Sequence, residues 1–302
     1  MKNAWVFPGQ GSQTLGMLSD AAEKFEEVQQ TFSQASEVLS YDLWQITQHD
    51  DDKINQTEYT QPALLTASIA YWRIMDSYKK PQADFLAGHS LGEYSALIAA
   101  GAIEFADAVK LVALRGQFMQ SAVQPGEGAM AAILGLEDQM VVDVCQACAE
   151  GEVLSAVNFN SPGQVVIAGN ATAVERALPM LKAQGARKVV PLPVSVPSHC
   201  ALMKPAAEKL AQALADIEIH VPNIAVIHNV DVAPHQDADA IRIALVEQLY
   251  NPVRWVETIT YFAEQGVTRV VECGPGKVLT GLNKRMLKDA ENEGVVELLT
   301  DC

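Results

Sequence analysis

A serine between two glycines is the clearest chemical signal in the sequence. Residues 88–92 read GHSLG, a G-x-S-x-G pattern with Ser90 at its centre, between a predicted strand and a predicted helix. In such a turn the serine oxygen projects above the sheet, and the glycines allow the bend without Cβ clashes. The N–H of Leu91, at the helix start, would then face a developing oxyanion. The alternative is a glycine-flanked turn whose serine only caps the helix.

A nucleophilic serine needs a base, and the chain has six histidines. His89 adjoins Ser90, and we expect its ring to pack or hydrogen-bond beneath the turn. Four others read as non-catalytic: His49 and His235 as solvated loop residues, and His220 and His228 as core residues at or in a strand. His199 remains. It ends residues 196–199 (VPSH), where the chain returns beside an expected cleft, although an ordinary loop histidine is an equally good interpretation there.

The base also needs a group that orients its ring. The acid of a hydrolase triad lies between the serine and the histidine, but here that interval is mostly taken up by a separate small module. Gln248 follows His199 at the end of a predicted helix, where an amide or backbone oxygen is available. Taken alone, Gln248 reads as a polar helix-end residue.

Arg115 lies on the apolar face of a predicted helix, with Leu111, Phe118 and Met119 beside it. A guanidinium in that position needs an anion. Either an internal carboxylate or a substrate carboxylate held by two hydrogen bonds would serve. The sequence alone favours neither.

Glycine-rich loops elsewhere do not form phosphate-binding motifs. Residues 7–14 (FPGQGSQT) lack the third glycine of a dinucleotide fingerprint, because Thr14 stands there, and Met17 replaces the lysine of a P-loop. The turn at Gly9, Gln10 and Gly11 can still present backbone N–H groups to a cleft. It is therefore a candidate for the second oxyanion donor.

These residues must be positioned by an alternation of strands and helices, which is typical of a parallel α/β sheet. Between residues 125 and 198 the order changes to β-α-β-β-α-β, a ferredoxin-like pattern. We therefore predict a large discontinuous domain (residues 1–124 and 199–302) with a small inserted domain (125–198) and a ligand cleft between them. We also predict helical structure over residues 18–39 and a frayed tail after about Asp289.

Composition narrows the possible functions. The chain has 302 residues, of which 49% are hydrophobic, and a formal net charge of -16, so nucleic acid is an unsuitable ligand. No apolar run approaches the roughly 20 residues of a spanning helix, and the N-terminus lacks a secretory signal, so we expect a cytoplasmic protein without membrane contact. Cys145 and Cys148 lie in a predicted helix without further ligands nearby, which indicates ordinary helix cysteines and no metal.

Seven blocks in the same order resemble the bacterial malonyl-CoA:acyl carrier protein transacylases of type II fatty acid synthesis. The resemblance spans about residues 5–287. The blocks are residues 7–13 (FPGQGSQ), 88–94 (GHSLGEY), 115–116 (RG), 158–164 (NFNSPGQ), 193–199 (PVSVPSH), 248–253 (QLYNPV) and 273–279 (CGPGKVL). It implies a large α/β-hydrolase-like domain with an inserted ferredoxin-like domain, the same organisation that the pattern predicts.

The resemblance also implies roles for individual residues. Ser90 would carry the malonyl ester, His199 would act as base, and Gln248 would supply the oxygen that orients it. Arg115 would bind the free malonyl carboxylate. The remaining predicted site residues are Gln10 and Leu91, whose N–H groups would form the oxyanion hole, and His89 and Asn160, which would contribute to substrate binding. Malonyl-CoA and acyl carrier protein are the implied partners of a monomer without a cofactor.

Two questions stay open at this level. The carrier protein in this family is acidic, so an enzyme at -16 needs a local basic rim to bind it; the candidates are Lys188, Lys204, Lys277, Lys284 and Arg285. The same serine and histidine also suit a thioesterase or esterase, a subunit that only binds carrier protein, or a transferase for another acyl group.

Overall fold

A computed structural model describes residues 2–78, 82–194 and 196–299. Its nine strands are β1 (Lys2–Phe7), β2 (Phe85–Gly88), β3 (Gly128–Leu134), β4 (Leu154–Ser161), β5 (Gln164–Asn170), β6 (Lys188–Pro191), β7 (Ala225–Ile227), β8 (Val267–Glu272) and β9 (Glu291–Gly294).

Fourteen α-helices lie within the same residues. They are α1 (Ser19–Ala22), α2 (Glu26–Leu39), α3 (Leu43–His49), α4 (Asp51–Ile54), α5 (Thr57–Ser77), α6 (Gly92–Ala99), α7 (Phe105–Ser121), α8 (Asp138–Ala149), α9 (Ala171–Ala183), α10 (Lys204–Ala215), α11 (Ala238–Glu247), α12 (Trp255–Glu264), α13 (Val278–Met286) and α14 (Val295–Leu299). In this part of the chain, no helix is both long and apolar enough to span a bilayer.

The larger sheet is parallel, with the strand order β7-β2-β1-β8-β9. Alternate residues of its central strand β1 face opposite sides: Trp5 and Phe7 pack into one core, and Ala4 and Val6 into another. A parallel sheet covered on both faces leaves its strand ends as the place where polar side chains collect.

The smaller sheet is antiparallel, with the order β4-β5-β3-β6 and its own core against α8 and α9. Cys145 and Cys148 are buried in that core and form no disulfide. They are therefore packing residues, as the sequence predicts.

Two expectations are wrong and a third is refined. The predicted helical segment 18–39 forms two helices, α1 and α2, with a break between Ala22 and Glu26 where Phe25 is buried. In the predicted frayed tail, residues 291–294 form β9, which pairs with β8, and residues 295–299 form α14, whereas residues 300–302 lie outside the described residues. The His220 side chain is 47% exposed rather than part of a core. Polar edge strands such as β9 lack the apolar alternation that predicts a strand.

Candidate active site

Ser90 occupies a tight turn between β2 and α6. Its φ is +52°, in the left-handed region that non-glycine residues rarely adopt. A Cβ on Gly88 would lie 1.8 Å from the Gly92 carbonyl carbon, and a Cβ on Gly92 would lie 2.0 Å from the Phe7 oxygen. Both positions therefore require glycine, and the turn is packed directly against β1. This is the strained elbow that the G-x-S-x-G pattern predicts.

Asn229 holds the elbow from the neighbouring strand. Its Oδ1 accepts a hydrogen bond from the Ser90 N–H at 2.8 Å, and its Nδ2 donates to the Gly88 oxygen at 2.7 Å. Asn229 is fully buried and follows β7, which pairs with β2. Sequence analysis missed this residue. A polar residue directly after a buried strand is the signal that could have found it.

His199 lies beside the serine. Its Nε2 is 2.8 Å from Ser90 Oγ, and its Nδ1 is 2.7 Å from the backbone oxygen of Gln248. A carbonyl oxygen only accepts, so Nδ1 carries the proton and Nε2 is free to accept the serine proton. The backbone of His199 also has a positive φ, +66°, and its N–H donates to the Leu249 oxygen.

The surroundings keep His199 uncharged. Burial, and then the positive charge of Arg115, lower the pKa of His199 to about 3, and the hydrogen bond to the Gln248 carbonyl only partly opposes them. The imidazole is therefore neutral at physiological pH. A neutral ring is the form that can take a proton from serine.

The backbone and the side chain of Gln248 make separate contacts. Its backbone carbonyl, at the end of α11, orients His199, which decides between the two oxygens that the sequence offered. Its side-chain Nε2 donates to the backbone oxygen of Ser90 at 2.9 Å and to Glu93 Oε2 at 3.0 Å. A triad acid is therefore not what orients the ring.

Arg115 is buried, and its hydrogen-bond acceptors are all uncharged. Nη1 donates to Gln61 Oε1 and Nη2 to Gln248 Oε1, both at 2.9 Å, and Nη2 lies 3.4 Å from Ser90 Oγ. Its guanidinium also lies over the ring of Tyr94. Within the described residues Arg115 has no carboxylate partner. Of the two alternatives from sequence, the internal ion pair is absent there, and a guanidinium beside the nucleophile is available to an external anion.

Gln10 and Leu91 line the same pocket as Ser90 and His199, and neither of their backbone N–H groups has a hydrogen-bond partner among the residues described. The Gln10 side chain donates from Nε2 to Thr57 Oγ1 at 3.3 Å. Both N–H groups are thus free to bind a developing oxyanion.

His89 lines the pocket beside Ser90, and its Nε2 is 2.8 Å from Asn160 Oδ1. Its ring packs against Trp255, with the two ring centroids 5.6 Å apart. Burial lowers the pKa of His89 from its usual value, although the Asn160 contact opposes this. His89 thus packs and hydrogen-bonds at the turn, whereas Asn160 contacts His89 and does not itself line the pocket.

The pocket lies between the two sheets. The parallel-sheet unit contributes the serine, the histidine and the arginine, and the other unit contributes Met130 and Asn158. Part of the lining is apolar and comes from Leu192, Val194 and Val196, which follow β6. No group of histidine, cysteine and carboxylate side chains that could hold a metal exists in the described ranges.

The sequence also matches known proteins. It matches the acyl transferase domain family over residues 4–301. The malonyl CoA-acyl carrier protein transacylase of Escherichia coli (strain K12) is 58% identical over 285 residues, which cover 94% of this chain and 92% of that protein.

Two solved structures resemble this chain in both fold and sequence. An acyl carrier protein S-malonyltransferase from Vibrio cholerae has a TM-score of 0.96 and 55% identity, covering 99% of this chain and 100% of that one. A malonyl-transacylase in complex with its type II PKS acyl-carrier protein has a TM-score of 0.97 and 52% identity, with both chains fully covered.

Proposed function

This chain belongs to the acyl transferase domain family, and from that membership we infer its reaction: it transfers the malonyl group from malonyl-CoA to acyl carrier protein for fatty acid synthesis. It is an acyltransferase with malonyl-CoA and acyl carrier protein as partners. The observation that supports the chemistry best is the position of Ser90 Oγ, 2.8 Å from a neutral His199 and 3.4 Å from the Arg115 guanidinium.

We propose a ping-pong mechanism through a malonyl-serine ester. In the first half, His199 Nε2 takes the Ser90 proton while Oγ attacks the thioester carbonyl of malonyl-CoA. The N–H groups of Gln10 and Leu91 bind the oxyanion of the tetrahedral intermediate. When the carbon–sulfur bond breaks, the CoA sulfur takes the proton back from His199 and leaves as the thiol.

In the second half the same steps run in reverse with a different thiol. The phosphopantetheine thiol of acyl carrier protein gives its proton to His199 and attacks the ester carbonyl. The oxyanion hole binds the second tetrahedral intermediate, and Ser90 Oγ leaves with the proton from His199. Malonyl-carrier protein and free enzyme result, and no cofactor takes part in the proposal.

Arg115 selects the acyl group in this proposal. Its guanidinium would bind the malonyl carboxylate beside the serine, whereas an acetyl group would leave that buried charge without an anion. His89 and Asn160 would shape the neighbouring wall of the acyl pocket.

The two sheets correspond, in the same proposal, to an α/β-hydrolase-like domain (1–124 and 199–302) and a ferredoxin-like insertion (125–198); the order β4-β5-β3-β6 supports the latter. Monomeric state, cytoplasmic location and lack of membrane contact stay predictions.

Intact-protein mass spectrometry tests the mechanism. Wild type mixed briefly with malonyl-CoA should gain one malonyl group, and holo carrier protein should remove it faster than water does. Ser90→Ala should gain none. Arg115→Ala should lose the preference for malonyl-CoA over acetyl-CoA. A malonyl adduct that survives Ser90→Ala would contradict the nucleophile assignment, and an adduct that water removes as fast as carrier protein would indicate a thioesterase.

A further inference from the structure

A buried carboxylate, Glu93, lies directly behind the active site and takes no part in the chemistry proposed above. It is the second residue of α6, three positions after Ser90, and its side chain is fully buried. Its two oxygens accept three hydrogen bonds. Oε1 is 2.7 Å from His228 Nδ1, and Oε2 accepts from the Asn229 N–H at 2.9 Å and from Gln248 Nε2 at 3.0 Å.

His228 is best described as a neutral hydrogen-bond donor to this carboxylate. Its Nδ1 faces a carboxylate, which only accepts, so Nδ1 carries the proton. Its Nε2 is buried and has no partner among the described residues. A charged imidazole would place an unsatisfied N–H there, which is costly. Glu93 therefore keeps a net negative charge that His228 does not neutralise.

A buried cation, Arg115, lies on the far side of the Gln248 side-chain amide from Glu93. Gln248 Oε1 accepts from Arg115 Nη2 at 2.9 Å, while Gln248 Nε2 donates to Glu93 Oε2 at 3.0 Å. The amide dipole thus has its negative end toward the cation and its positive end toward the anion. Both charges favour this one orientation of the amide.

A direct ion pair would have a different effect. If a carboxylate touched Arg115, it would occupy the guanidinium N–H groups that an incoming anion needs. With the amide between them, Glu93 acts on Arg115 through the field and the hydrogen-bond chain. Burial lowers the pKa of Arg115, and the neighbouring Tyr94 phenol and Glu93 carboxylate oppose that effect.

We propose that Glu93 is a positioning residue for Arg115: through the Gln248 amide it supplies the counter-charge that holds the guanidinium in place, while leaving it open to the substrate carboxylate. The part that concerns the substrate rests on the proposed function. The part that concerns the Glu93–Gln248–Arg115 relay does not, because it describes the free enzyme.

A double-mutant cycle on melting temperature tests the relay. Glu93→Gln removes the charge and keeps the shape, and Arg115→Met removes the cation. We expect Glu93→Gln to lower the melting temperature in wild type, because Arg115 is left buried without a counter-charge. In Arg115→Met the same substitution should be less destabilising by at least about 3 °C, since it then removes an uncompensated anion.

A smaller difference between the two backgrounds would overturn the relay. If Glu93→Gln does not fold, the double variant must recover folding, and failure to recover would also overturn it. Glu272→Gln is the matched control. Glu272 is equally buried but accepts the N–H groups of Leu279 and Thr280 at the start of α13, so its effect should be the same in both backgrounds.

The second readout is the malonyl preference, measured as the ratio of the serine acylation rates with malonyl-CoA and with acetyl-CoA. Glu93→Gln should lower the malonyl preference about 10-fold, because Arg115 is no longer fixed. Glu272→Gln should leave the preference unchanged. Equal preference in Glu93→Gln and wild type would overturn the substrate part of the proposal. Loss of serine acylation in wild type itself would instead contradict the proposed function, while the stability cycle would still decide the relay.

Discussion

At the scale of single residues, the base is defined by what surrounds it. His199 has a backbone carbonyl on Nδ1, the serine hydroxyl on Nε2 and a buried arginine nearby. The carbonyl fixes the tautomer without adding a negative charge, which a triad carboxylate would do. The ring therefore stays neutral, and the nearby guanidinium further disfavours its protonated form.

This environment predicts an unusual pH dependence of acylation. With the pKa of His199 lowered to about 3, the rate of serine acylation at low malonyl-CoA should stay level from pH 8 to about 5. Stopped mixing at each pH followed by mass spectrometry measures it. A fall with a midpoint near 6.5, the usual pKa of histidine, would contradict the neutral buried ring.

The same lowered pKa has a consequence for stability. Unfolded His199 binds a proton near pH 6.5 but the folded form does so only near pH 3, so between these values the unfolded state binds more protons and stability falls as the pH falls. From pH 6.5 to 5 the loss attributable to His199 is about 1.5 kcal/mol. Urea unfolding of His199→Gln should lack this part of the slope.

At the scale of elements, the contact between β1 and α6 sets the nucleophile. The two elements are so close that only glycine fits at position 92, where an added Cβ would lie 2.0 Å from the Phe7 oxygen. Asn229, after β7, then fixes the turn from the other side. The serine is thus held by three strands of one sheet rather than by its own loop.

We expect Gly92→Ala to separate β1 from α6 and to destabilise the protein by about 3 kcal/mol, with loss of acylation. Chemical denaturation and the malonylation assay measure the two effects. Gly281→Ala is the matched control: Gly281 is in α13 with open space around its Cβ position, so alanine there should stabilise by about 0.5–1 kcal/mol. A stable, active Gly92→Ala variant would contradict the close contact.

At the scale of the whole molecule, binding of an acidic carrier protein depends more on where the positive charges lie than on the net charge. Lys277 is paired with Glu297, so it is a poor candidate for the basic rim. Arg285 donates to Gln164, which pairs across the small sheet with Leu134, and Leu134 pairs with Lys188. Gln164 and Lys188 are therefore about 10 Å apart, across two strand spacings, and Arg285 lies beside Gln164.

Reversing both charges, in Lys188→Glu with Arg285→Glu, should raise the KM for carrier protein about 5- to 10-fold and leave that for malonyl-CoA unchanged, because only the protein partner presents an extended acidic surface. Steady-state kinetics at low and high salt measures this, and the effect should shrink as salt screens it. Reversal of Lys110 and Lys209, on α7 and α10, is the control. Equal KM values for the two double variants would contradict this rim.

Much of this protein could be predicted from its sequence, because several of its features are local. The glycines at positions 88 and 92 are required by a turn of five residues, and the periodicity of β1 and its helices indicates a parallel sheet. Recognition of Ser90, His199 and Arg115 as one set came from seven blocks in a fixed order, not from any one of them alone. Strand β9, which pairs with β8, was not predicted because its polar side chains lack the apolar alternation of a strand.

Only the tertiary structure decided how these residues face one another. Whether Gln248 used its backbone or its side chain depends on where α11 ends relative to the return segment, over 49 residues of separation. The links through Asn229 and Glu93 join residues 139 and 155 positions apart, and nothing local in the sequence indicates them. The sequence determined which groups are present and where the chain turns, whereas packing of β2, β7 and α11 determined which hydrogen bonds they make, since buried polar groups must be paired with whatever the fold brings within reach.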